Sequence, residues 1–249
     1  MFPLHDDNPT LRTPVVTFAL IAVNAAVWAV LQGFGTPGPL FRSLCEYALI
    51  PGELLGTVSP GTTLQLVEGH TCVLGGGLVG HAWLTPLSSM FMHGGWMHLI
   101  GNMWFLWVFG NNVEDIMGRA RFVVFYVLCG LAAAAAQVAS NPASAVPMVG
   151  ASGAIGGVMG AYAVTYPRAH VYTLLWFGFF VRTIAVPAAF MLGYWFVIQL
   201  VMGLPTLGEE GGGVAFWAHA GGFAAGLLGA LVFRDPRLIE LHRRTHGGA

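Results

Sequence analysis

VYTLLWFGFF, residues 171–180, decides how many times this 249-residue chain can cross a membrane. The segment is apolar, but ten residues of helix rise only about 15 Å, roughly half of a bilayer's hydrocarbon core. Counting outward from it, longer apolar runs predict spans at about 14–33, 97–113, 120–139, 150–166, 185–203 and 215–233. Charge then chooses between six spans and seven. With six, and the N-terminus inside, Arg12, Arg119, Arg121, Arg168, Arg182, Arg234, Arg237, Arg243 and Arg244 are all cytoplasmic. Arg42 is outside, with Glu46, Glu53, Glu68, Glu209 and Glu210. A seventh span at 171–180 would carry Arg182 and the arginine-bearing C-terminus outward, against the positive-inside tendency. The sequence therefore predicts an all-α bundle of six transmembrane helices, with 171–180 lying at the cytoplasmic face.

Composition agrees. The chain is 56% hydrophobic and 8% charged, where soluble domains carry about 25% charge. A net charge of −1 without runs of like charge gives nothing that points to a nucleic-acid partner, and none is expected. Residues 1–13 read as a cytoplasmic segment without the basic leader of a signal peptide. The membrane domain follows at 14–233, and 234–249 is a cytoplasmic tail. Between the first two spans, residues 34–96 form an outer loop too long to be a bare connector, so it should hold helices lying in the interface. Cys45 and Cys72 fall in that loop, and Cys129 in the third span. In an oxidising compartment such a loop pair tends to become a disulfide; the alternative is two unrelated small apolar residues.

Glycine spacing predicts which helices touch. Gly153, Gly156, Gly157 and Gly160 line the fourth span, and Gly221, Gly222, Gly226 and Gly229 the sixth. Small residues four apart let membrane helices approach closely, because packing drives their association. His219, Gly222, Gly226 and Gly229 share one face, as do Ser152, Gly156 and Met159. If those faces meet, Ser152 meets His219.

Polar residues in lipid are costly and are functional candidates by default. The span interiors hold His98, Asn102, Ser152 and His219, while Glu114 and Asp115 stand at one end of the second span. Asn24 and Gln199 read as packing amides. A serine becomes nucleophilic when a neutral imidazole can take its proton. The spans offer no carboxylate for a full triad, so the pattern points to a Ser152–His219 dyad. His98 and Asn102, at i and i+4, can join the Ser152 amide at a helix N-terminus in holding an oxyanion. His93, His98 and His219 lack an HExxH pattern and a completing carboxylate, so neither metal nor cofactor is expected.

Three motifs in order, HGGWMHLIGN (93–102), GASGAIGGVMGAY (150–162) and AHAGGFAAG (218–226), resemble the rhomboid family of intramembrane serine proteases. The resemblance runs from about Thr13 to Phe233. It implies Ser152 as nucleophile, His219 as base, and His98, Asn102 and the Ser152 amide as oxyanion hole, with Gly150, Gly153, His93 and Gly222 as structural neighbours. It implies transmembrane-protein substrates that enter from the lipid beside the fifth span and are cut near their outer end. A bacterial inner-membrane location, with both termini cytoplasmic, goes with it. Three positions depart from the family pattern. The Trp-Arg pair before the first motif has no counterpart in GHAWLTPLSSMFMH (80–93). The Tyr that stacks on the base histidine in some members is Gly156, leaving Trp217 or Phe216 to orient His219. The bulky gate before the oxyanion Asn is Gly101. A catalytically inactive rhomboid-like protein that binds membrane helices is the alternative, though it would be expected to lose Ser or His. A transporter or haem bundle would need inverted repeats or paired axial histidines, and neither is visible.

Overall fold

The computed structural model describes residues 2–67, 69–75, 82–207 and 214–246. Glu68, Glu209 and Glu210, and the first two residues of the 80–93 stretch, lie outside the described residues.

Six long helices stand where apolar runs predicted them. They are α1 (Val15–Val30), α5 (Trp96–Met117), α6 (Arg119–Ser140), α7 (Ser152–Thr165), α8 (Ala188–Gly203) and α9 (Phe216–Phe233). Three segments are long and apolar enough to cross a bilayer outright: Arg119–Ser140, Ala188–Thr206 and Phe216–Phe233. Val15–Val30 is apolar but shorter. α7 has only 14 residues, about 21 Å of helix.

α5 runs past its predicted end because its last turn has work to do. The buried Glu114 carboxylate accepts the N–H groups of Val16 (3.0 Å) and Thr17 (2.8 Å) and the Thr17 hydroxyl. It thereby caps the positive N-terminus of α1, where an anion is stabilising. Asp115 accepts the Leu11 N–H and pairs with Arg12 at 3.2 Å. These acids join the start of α1 to the end of α5.

Residues 34–96 contain α2 (Pro37–Tyr47), α3 (Pro51–Leu54) and α4 (Thr85–Ser88). They also contain an antiparallel hairpin of β2 (Thr63–Val67) and β3 (His70–Val73). Cys45 and Cys72 are joined, with Cα atoms 5.5 Å apart, tying α2 to that hairpin.

The largest departure from the all-α expectation is at 171–180. This segment is the centre of a hairpin, β4 (His170–Phe177) and β5 (Phe180–Pro187), which turns at Gly178 with φ +58°. β4 also pairs with β1 (Phe2–Asp6), giving a three-stranded antiparallel sheet ordered β1-β4-β5. The segment is too short to span as a helix, and pairing satisfies its backbone instead. Residues 1–13 are accordingly docked at their start. Trp104 Nε1 donates to the Pro3 carbonyl, and the Tyr162 hydroxyl donates to Asp6. The tail likewise forms α10 (Pro236–His246), with His242 Nε2 2.8 Å from the Pro9 carbonyl oxygen.

The core lies where α5, α6, α7 and α9 meet, around Leu106, Phe109, Phe122, Phe125, Ile155 and Tyr162.

Candidate active site

The site begins with a turn that only glycine fits. Gly150 has φ +128°, and a Cβ there would sit 2.7 Å from His98 Nε2. Its N–H donates to the Ser89 carbonyl at 2.9 Å, and Met148 pairs with Leu49 just before it. The loop is thus fixed on both sides when α7 starts at Ser152. The first N–H groups of a helix have no partner within it, so α7 presents donors at the serine.

His219, in the first turn of α9, reaches that serine because α7 and α9 touch backbone to backbone. A Cβ on Gly222 would lie 1.9 Å from the Gly153 carbonyl oxygen, and one on Gly226 1.9 Å from that of Gly157. Gly160 is covered in turn by the Phe223 carbonyl oxygen, 2.3 Å from where its Cβ would be. Gly153 itself faces Ala133 of α6. Across this seam His219 Nε2 lies 2.8 Å from Ser152 Oγ.

The other ring nitrogen has a partner that sequence reading passed over. Nδ1 of His219 lies 2.8 Å from Oε1 of Gln199 on α8. The Trp195 indole, one turn earlier on α8, flanks the ring with centroids 5.7 Å apart. Trp217, a sequence candidate for this task, instead donates Nε1 to the Gly203 carbonyl at 3.0 Å. The available signal was Trp195 and Gln199 at i and i+4, sharing one face of the fifth apolar run.

His98 and Asn102 face the same space from α5. The Gly94 N–H donates to His98 Nδ1 at 3.3 Å, so that nitrogen is the acceptor and Nε2 carries the proton. Nε2 is the atom beside Gly150. Asn102 is buried, and its amide nitrogen has no hydrogen-bond partner among the described residues. A buried donor without an acceptor is costly, and in a site it is available to a ligand. His93 is fully buried with its ring edge-on to His98 at 5.1 Å. Gln32 clamps its backbone, receiving the His93 N–H at 2.9 Å and donating to its carbonyl at 2.7 Å.

Two cavities converge here. One, of about 500 Å³, is lined by His98, Asn102, Gln137, Ser144, Ser152 and His219 together with apolar residues such as Met148 and Phe216. The other, of about 230 Å³, is mostly apolar and opens between α5 and α8 past Met97, Gly101, Phe105 and Trp195. A Cβ on Gly101 would meet nothing within 4 Å.

Helices in this order, enclosing a serine, a histidine and convergent donors, define a rhomboid-type membrane bundle. The rhomboid domain matches residues 80–236, and the chain belongs to the rhomboid family. Together with its apolar helices this makes it an integral membrane protein. YdcA of Bacillus subtilis is 28% identical over 149 residues, covering 60% of this chain and 61% of its own length. The rhomboid protease GluP of the same bacterium is 29% identical over 164 residues, covering 65% of this chain and 28% of its own. Rhomboid-like protease 5 of Toxoplasma gondii is 31% identical over 149 residues, 56% of this chain and 15% of the relative. The chain thus covers less than two thirds of each of these relatives.

Proposed function

We propose that the chain is an intramembrane serine endopeptidase that cuts transmembrane helices near their outer end. The observation that carries this reading is the 2.8 Å contact between Ser152 Oγ and His219 Nε2 inside a largely apolar bundle. His219 takes the Ser152 proton as Oγ attacks the scissile carbonyl, then gives it to the departing amine. The carbonyl oxygen, now an oxyanion, is held by His98 Nε2–H, the Asn102 amide and the Ser152 N–H. A water entering through the larger cavity, which Ser152 and His219 both line, releases the acyl group. Gly150, Gly153, His93 and Gly222 hold these groups in place without touching substrate.

The substrate helix enters from lipid through the opening between α5 and α8. The bundle crosses the bilayer six times with both termini cytoplasmic, in a bacterial inner membrane. Supporting this, Arg12 and Arg121 pair with Asp115 and Asp235 at the end of the bundle away from Ser152. The sheet β1-β4-β5 lies on the cytoplasmic half, and 14–233 remains the membrane domain.

The test is labelling of the purified chain with a fluorophosphonate, followed by mapping of the adduct. The reading expects a single adduct on Ser152, lost in His219→Ala. An unlabelled, folded wild-type protein would favour an inactive binder of membrane helices.

A further inference from the structure

We infer that Gln199 is the positioning residue that sets the tautomer and orientation of His219, completing a Ser152–His219–Gln199 relay built with a neutral third member. The inference rests on the protease reading above and adds a residue to it.

A base must offer Ser152 a lone pair on Nε2. Neutral imidazole has one protonated nitrogen, so the proton must then reside on Nδ1. Nδ1–H needs an acceptor, and Gln199 Oε1 stands 2.8 Å away. An amide could turn its NH₂ toward the ring instead and favour the wrong tautomer. The helix prevents that. Gln199 Nε2 donates to the Trp195 carbonyl, one turn back, at 3.4 Å, and a carbonyl can only accept. With its nitrogen so engaged, the amide presents oxygen to His219. Gln199 is 7% exposed, so little of the amide is open to water. Trp195, on the same face, restricts tilt of the ring.

The chemistry explains why an amide suits this position. An ionised carboxylate in the membrane interior is expensive, whereas a hydrogen-bonded amide is tolerated. The amide holds the tautomer but stabilises the imidazolium less than a carboxylate would. Among the described residues lining the cavities around His219, the other ionisable side chain is His98 on α5. The acid limb of reactivity reports both rings, and a shift of that limb on substitution at Gln199 reports His219, the ring that Gln199 touches.

The experiment measures the rate of Ser152 labelling by a rhodamine fluorophosphonate against pH, using the full chain in detergent. Wild type, Gln199→Leu and Gln199→Glu are compared, with thermal unfolding recorded for each. Gln199→Leu should slow labelling roughly 10- to 100-fold while unfolding cooperatively, as expected for a buried donor left without its acceptor. Gln199→Glu keeps an oxygen at the same reach. It should recover rate relative to Gln199→Leu and move the acid limb to higher pH, because a nearby anion favours imidazolium. A role limited to packing would leave that limb in place. Labelling of Gln199→Leu at the wild-type rate with an unmoved limb would overturn the inference and leave the dyad intact. Failure of the wild type to label Ser152 would overturn the protease reading itself.

Discussion

Two helix pairs meet at the site on opposite terms. α7 and α9 are in backbone contact, with Gly222 and Gly226 lodged against the carbonyls of Gly153 and Gly157. α5 and α8 stand apart across an apolar cavity of about 230 Å³, in which Gly101 has no neighbour within 4 Å of its Cβ position. The same residue type serves both, as a close contact in one and as empty space in the other. The seam fixes Ser152 against His219, where a small misplacement would cost rate heavily. The opening is the side through which, in the proposed function, a substrate helix passes. Below the opening the sheet bridges the pair: β1 meets Trp104 and Phe105 of α5, while Thr173 of β4 donates to Met191 of α8.

The contrast can be broken most severely at the seam. Gly226→Ala puts a methyl into the Gly157 carbonyl, and backbone cannot yield as a side chain can. Overpacking of this kind costs about 1–3 kcal/mol or more. The expected result is a Tm lowered by several degrees and a large loss of Ser152 labelling. Gly101→Ala, at the opening, should leave both unchanged. Equal effects of the two would erase the distinction drawn here.

A second change separates the opening from the chemistry. Gly101→Trp should fill the lateral cavity, raising KM for a membrane-helix substrate while leaving labelling by a small fluorophosphonate near wild type. Asn102→Ala, across the same cavity, should do the reverse and lower kcat by roughly 10²-fold with little change in KM, since an oxyanion donor acts in the transition state. A KM effect alone in Asn102→Ala would remove it from the oxyanion hole.

The smallest effect is expected at the sheet. Burial raises the Asp6 carboxyl to about 6, despite the hydrogen bond from Tyr162. A raised acid pKa means that ionisation is penalised in the folded state, so the cost appears as pH rises from the ordinary value of 3.8 and is complete above about 6. Asp6→Asn keeps an acceptor for Tyr162 without the charge. Its Tm should exceed wild type by a few degrees above pH 6 and converge with it near pH 4. A constant difference across that range would mean that Asp6 does not titrate there.

Much of the site was legible because backbone contact restricts residue choice. Helices can meet at such distances only through glycine, so the glycine spacing predicted the seam and with it the pairing of Ser152 with His219. The hairpin was harder to read. Its apolar residues show no clean alternation, and its third strand is supplied by Phe2–Asp6, some 165 positions away. Val171, Thr173, Val181, Thr183, Ile184 and Val186 around Gly178 were the β-rich signal, and the length argument against a span was compatible with it. Gln199 escaped for another reason. Asn24 and Gln199 look alike in sequence as lone amides in apolar helices. Asn24 donates to Leu20 on its own helix at 2.8 Å, whereas Gln199 also reaches His219 on another. Which helix stands opposite is settled by tertiary packing.

Hydrolysis at Ser152 within the bilayer is the central element of the proposed function. The most direct measurement reconstitutes wild-type and Ser152→Ala protein in liposomes with a panel of single-span membrane proteins and maps any fragments by mass spectrometry. The account predicts cleavage by the wild type near the outer end of a substrate helix, with none by Ser152→Ala. Fragments of the same kind produced by both proteins would contradict it.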